Sequence, residues 1–139
     1  MKVIGRWPNT TRLLVAYLTD RSGLPVYSRR PAEGWQAVAP CIWVDRLPGP
    51  PSDGFSKTYT FDIEAMHTDL DALDSLVQDL EVWLFTLPSE SDTRHQVDDV
   101  QCTAEFADVP ADDVDLGRVV ATFDVTVRPQ PDDPHPATP

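Results

Sequence analysis

The side chains able to do chemistry in this chain are few and scattered. His67 lies close to Asp69 and Asp71, and His95 lies close to Asp98 and Asp99. A histidine beside carboxylates can hold a divalent metal or relay a proton. The simpler and preferred reading is that both groups are solvated loop and helix-cap residues. The acids Asp108, Asp112, Asp113 and Asp115 could attract calcium, but they lack the Asp-x-Asp-x-Asp-Gly frame of a calcium loop and read as a linker. Cys41 and Cys102 form no Cys-x-x-Cys pair, and no His-x-x-x-His spacing accompanies them, so a zinc site has little support. Both fall in apolar segments, where a free cysteine behaves as a small buried hydrophobe. There is no Gly-rich phosphate loop, no Gly-x-Ser-x-Gly elbow and no His-Glu-x-x-His. The expectation is a protein without catalytic residues, cofactor or metal.

Composition narrows the classes further. The chain has 139 residues, 41% of them hydrophobic, which suits one domain with a real core. Eleven basic residues against 23 acidic give a net charge of −12. That balance argues against sequence-reading DNA binding, which needs clustered Lys and Arg on phosphates. It is compatible with a wall past which DNA slides without sticking, although charge alone favours plain solubility. No apolar run approaches the roughly 20 residues of a membrane span. Met1–Trp7 lack the apolar stretch of a secretory signal, so a cytoplasmic origin is expected, and a disulfide is not.

Two features point to contacts with other chains. Arg29 and Arg30 are the one adjacent basic pair, and with Arg21 and Arg46 they could meet an acidic surface on a neighbour. Trp35 and Phe55 sit in Gly-containing loops, where each could anchor an interface or fold back onto its own core.

The elements that must position these residues follow from periodicity. Leu13, Leu14, Tyr17 and Leu18 mark one face of a helix over about 10–21, capped by Thr10 or Thr11 and left through Gly23. Two strand-like pieces, Pro25–Arg29 and Ala37–Val44, lie in a Pro- and Gly-rich region. Pro40 places the second at an edge or makes it start after the proline. Residues 47–54 are a loop. Lys57–Ala65 alternates, with Tyr59, Phe61, Ile63 and Ala65 on one face. The strongest helix covers about 69–87, with an apolar stripe from Leu70 to Leu87, Thr68 as N-cap and Pro88 as stop. Two closing strands alternate through Val100, Cys102, Ala104 and Phe106 and through Val119 to Val127, and antiparallel pairing across the 107–117 linker is the simplest topology. Five prolines in residues 129–139 argue for a disordered tail behind a single domain of residues 1–128.

This order of elements, with Phe61-Asp62-Ile63-Glu64-Ala65 running into the long helix and Ala121-Thr122-Phe123-Asp124-Val125-Thr126-Val127-Arg128-Pro129 closing the chain, resembles the tail terminator proteins of long-tailed phages, especially those of actinobacteria. The resemblance covers about residues 10–129. It implies an α+β fold with a mixed, mostly antiparallel sheet and two helices packed on one face. It also implies a ring, hexameric in the family, that caps the tail tube, stops its growth and joins the head–neck connector, with DNA passing through a central channel. For such a ring, Arg29, Arg30 and Arg46 are expected to meet Asp112, Asp113 and Asp115 across the subunit interface, with Trp35 and Phe55 as further interface residues. The 107–117 linker and the polar face of the long helix are candidates for the channel lining. The competing readings are another head–tail joining or tail tube protein, a small acidic binding domain with no virion role, and a small metal-dependent enzyme using His67 or His95.

Overall fold

The computed structural model describes residues 6–28, 39–90, 96–110 and 116–130. Helix α1 spans Thr10–Ser22. Its cap is Asn9 rather than either threonine: the Asn9 side chain accepts a hydrogen bond from the Arg12 backbone N–H at 3.1 Å, while Thr10 is buried and its hydroxyl donates to the Pro8 carbonyl. Gly23 ends the helix as expected, in the left-handed region at φ 68° with its N–H on the Thr19 carbonyl.

Strand β1 is short, Val26–Tyr27. Strand β2 begins immediately after Pro40, at Cys41, and runs to Leu47. It is not an edge strand, because β1 pairs with it in parallel on one side and β3 (Lys57–His67) antiparallel on the other. Helix α2 covers Leu70–Thr86 and passes into a 3₁₀ turn at Leu87–Ser89, where Pro88 breaks the α-helical ladder. Its cap is Asp69, one residue later than Thr68. The Asp69 carboxylate accepts from the backbone N–H groups of Asp71 and Ala72, and its charge also suits the positive helix end. Strands β4 (Val97–Asp108) and β5 (Gly117–Val127) close the chain.

The sheet order is β1-β2-β3-β5-β4, with antiparallel pairing everywhere except β1–β2. The chain is therefore α+β with a mixed five-stranded sheet and two helices. The centre of the sheet is the β3–β5 pair, joined over the whole of both strands. Tyr59, Phe61, Ile63 and Ala65 of β3 and the alternating Val119 to Val127 of β5 share one core with Leu14 and Leu18 of α1 and Leu73, Leu80 and Leu84 of α2. Both helices thus cover the same face of the sheet. Each fully buried Leu or Phe there contributes about 1.5–3 kcal/mol of transfer free energy. Tyr17 ties the two helices together by donating its hydroxyl to the Trp83 carbonyl at 2.8 Å.

Two expectations from periodicity change. Leu70 belongs to the apolar stripe by spacing, yet it is 66% exposed, because as the first residue of α2 it stands at the end of the sheet, against Gly117 at the start of β5. Ala104 does not share a buried face with Val100, since β4 shifts register three times against β5 and each irregularity resets the alternation. Arg6 and Gln130 form an antiparallel bridge, which carries regular backbone pairing into the proline-rich stretch.

Candidate assembly surfaces

The face of the sheet away from the helices is built from residues one step out of phase with the core. Near its β2 end a second apolar cluster forms from Cys41, Trp43, Met66 and Leu116. Beyond it the face is a lattice of hydroxyls and carboxylates. Thr58 and Thr126 share a hydrogen bond at 2.9 Å, Thr60 donates to Asp124 Oδ1 at 2.8 Å, and Thr122 donates to Asp62 Oδ1 at 2.7 Å. Arg118 donates to Glu64 Oε1 at 2.9 Å. Asp45 lies directly opposite Asp62 in the β2–β3 register. Like charges across a strand pair repel, which adds to the negative character of this face. This lattice was legible in the sequence as the polar half of the alternation, but which strands would neighbour each other was not.

Strand β4 forms one edge of the described sheet, opposite β1. It carries exposed Asp98, Asp99, Glu105 and Asp108, and its bulges bend the ladder. Charge and irregularity of this kind oppose pairing with another strand. Asp98 is held by Arg128 in an ion pair.

The β2–β3 connection has the opposite character. Arg46 and Lys57 both lie on the ring of Tyr59, at 4.4 and 5.0 Å from its centroid. Neither makes an ion pair among the described residues. They border a concavity of about 220 Å³ with Gly49, Pro50 and Pro51. Gly49 allows this close fit, since a Cβ there would stand 3.0 Å from the Thr58 carbonyl oxygen. Phe55 is 61% exposed, on a turn tied down by its own side chains. Asp53 Oδ1 accepts from the backbone N–H groups of Phe55 and Ser56, both at 2.8 Å, and Ser52 Oγ accepts from Gly54 N–H at 3.0 Å. The Ser56 and Phe55 N–H groups hold the Asp53 carboxyl below the usual carboxylate range.

A third surface is a groove of about 410 Å³ between α2 and β4. Leu70, Val77, Phe106 and Val119 form its apolar part, and Asp74 and Asp108 stand on its rim. Phe106 is fixed from behind by the ring of the buried Phe123, 6.0 Å away, which also meets Phe85 at 5.8 Å. Phe85 is itself 50% exposed. The sequence pattern alone does not mark this groove, because Leu70 and Val77 read as core.

Of the residues expected at an interface, Arg46 and Phe55 are thus exposed at one end of the sheet. Arg29, Arg30, Trp35, Asp112, Asp113 and Asp115 lie outside the described residues, as does His95. Arg21 does not join the basic spot, since Asp20 and Glu90 of its own chain bind it at 2.6 and 2.9 Å. His67 accepts a hydrogen bond on Nδ1 from the Asp69 backbone N–H at 2.9 Å, a helix-entry role. Among the described residues no three His, Cys, Asp or Glu side chains are grouped to hold a metal, and no described helix is long and apolar enough to cross a membrane. Neither Cys41 nor Cys102 is in a disulfide. No family model matches the chain, and no curated protein matches its sequence.

Proposed function

We propose that this chain is a non-enzymatic virion subunit, the tail terminator of a long-tailed phage. In this reading identical copies, six in the family it resembles, form a ring at the head-proximal end of the tail. The ring stops polymerisation of the tube protein and offers a surface to the head–neck connector. DNA passes through its channel without specific binding.

The observation that carries the reading is the division of the surface. Carboxylates and hydroxyls occupy the sheet face away from the helices and the β4 edge, while an exposed aromatic and two cations that make no ion pair among the described residues gather at the β2–β3 turn. A ring needs unlike patches on each copy, so that one meets the other head to tail. A DNA conduit needs a wall that repels phosphate, and the Asp45–Asp62–Asp124 face is the described surface best suited to it.

Light scattering on the chain eluting from a size-exclusion column, with electron microscopy of the same fraction, tests this. A discrete ring, alone or after addition of tail tubes, is the expected result. Open-ended tubes would instead make it a tube protein. A monomer at every concentration that also fails to cap tubes would refute the virion reading in favour of an acidic binding domain.

A further inference from the structure

The Phe55 turn and the α2–β4 groove have matching chemistry. One is an exposed apolar knob on the β2–β3 connection, at the same end of the sheet as the two cations on Tyr59; the other is an apolar hollow lined by two exposed carboxylates. We propose that they are the two halves of one joint: Phe55 of one copy enters the groove of a second copy, and Arg46 and Lys57 meet Asp74 and Asp108 across its rim. The inference deepens the ring reading and rests on it for its setting.

Geometry requires the second copy. Lys57 begins β3 beside the knob, whereas Val119 of the groove is the register partner of Ala65, further along the same strand. At roughly 3.3 Å per residue, the two patches stand about 26 Å apart. A single chain cannot bring them together without dismantling its central strand pair, so the contact joins two copies, and in the ring it runs head to tail.

The physical terms agree. A phenylalanine buries about 150–250 Å² when seated, and a groove of about 410 Å³ accommodates its ring. The turn is ordered before contact by the Asp53 and Ser52 hydrogen bonds, so little conformational freedom is lost on docking. Opposite charge at the rim selects the orientation. The bulged, acidic β4 edge disfavours the rival mode, strand addition, along the same border. A groove of like charge to most of the chain also repels any copy that arrives by an acidic face.

The test uses two full-length variants that stay folded by circular dichroism and thermal melting. Phe55→Ser spoils the knob and leaves the groove. Asp74→Lys with Asp108→Lys spoils the groove and leaves the knob. Each alone should weaken self-association by about tenfold or more. Mixed in equal amounts, they should give a dimer of the two and nothing larger, because one intact joint remains and neither end can extend it. An assembly that survives Phe55→Ser unchanged, a mixture that stays monomeric, or a wild-type chain that never self-associates would each overturn the joint. Wild-type open filaments together with mixed dimers would keep the joint and refute the closed ring.

Discussion

Replacing Gly117 by alanine tests the packing that shapes the groove. A Cβ added to Gly117 would meet Leu70 Cδ2 at 2.6 Å and Leu73 Cδ2 at 2.7 Å, with the His67 carbonyl oxygen at 3.3 Å. Ordinary carbon contacts begin near 3.5 Å, so both leucines must retreat by most of an ångström. Leu70, mostly exposed, can swing into solvent. Leu73 is 4% exposed and held in the core, so it cannot move without disturbing its neighbours. Overpacking of this kind costs about 1–3 kcal/mol, equivalent to a fall in Tm of about 4 °C for each kcal/mol in a domain of this size. Leu73→Ala alone removes a buried leucine and costs about 2–5 kcal/mol. The double variant should cost clearly less than the sum, since the new methyl enters space that the leucine has left. Urea unfolding of the four proteins gives the coupling directly. Additivity within about 0.5 kcal/mol would mean that Gly117 and Leu73 do not compete for the same space, and the description of this end of the sheet would be wrong.

Three further outcomes follow from single contacts. Asp69→Ala should cost about 1 kcal/mol through loss of the α2 cap, whereas Thr68→Ala should stay within about 0.5 kcal/mol; a reversed order in denaturant unfolding would return the cap to Thr68. Tyr17→Phe removes the hydroxyl that bridges α1 to the Trp83 carbonyl, and should lower stability by about 1 kcal/mol with the fold unchanged by circular dichroism; no measurable loss would mean that the Thr86 hydroxyl, which also donates to that carbonyl, or water satisfies it equally well. Burial, aided by the charges of Glu81 and Glu105, pushes the Cys102 thiol up, so at mildly alkaline pH less of it is thiolate and alkylation should run slower than for a free thiol. Its rate should rise with pH beyond the ordinary thiol range, and a reaction as fast as that of a small-molecule thiol near neutrality would contradict this environment.

Periodicity alone determined much of this protein. The α2 stripe, the alternation of β3 and β5, the loop that follows Leu47 and the stop at Gly23 are each set by residues within one or two turns of each other, because local backbone sterics and side-chain spacing decide them. The exact caps were less legible: Asn9 and Asp69 stand beside threonines of similar capping ability, and Thr10 is instead buried with its hydroxyl on the Pro8 carbonyl. Strand β4 departed from its expected alternation because bulges depend on the partner strand rather than on the strand's own sequence. The anion-and-hydroxyl face, Asp45 opposite Asp62, the two cations on Tyr59 and the groove between α2 and β4 were decided by tertiary structure. Each brings together residues far apart in the chain, and which of them become neighbours depends on strand order and register, which the burial of one whole face settles at once.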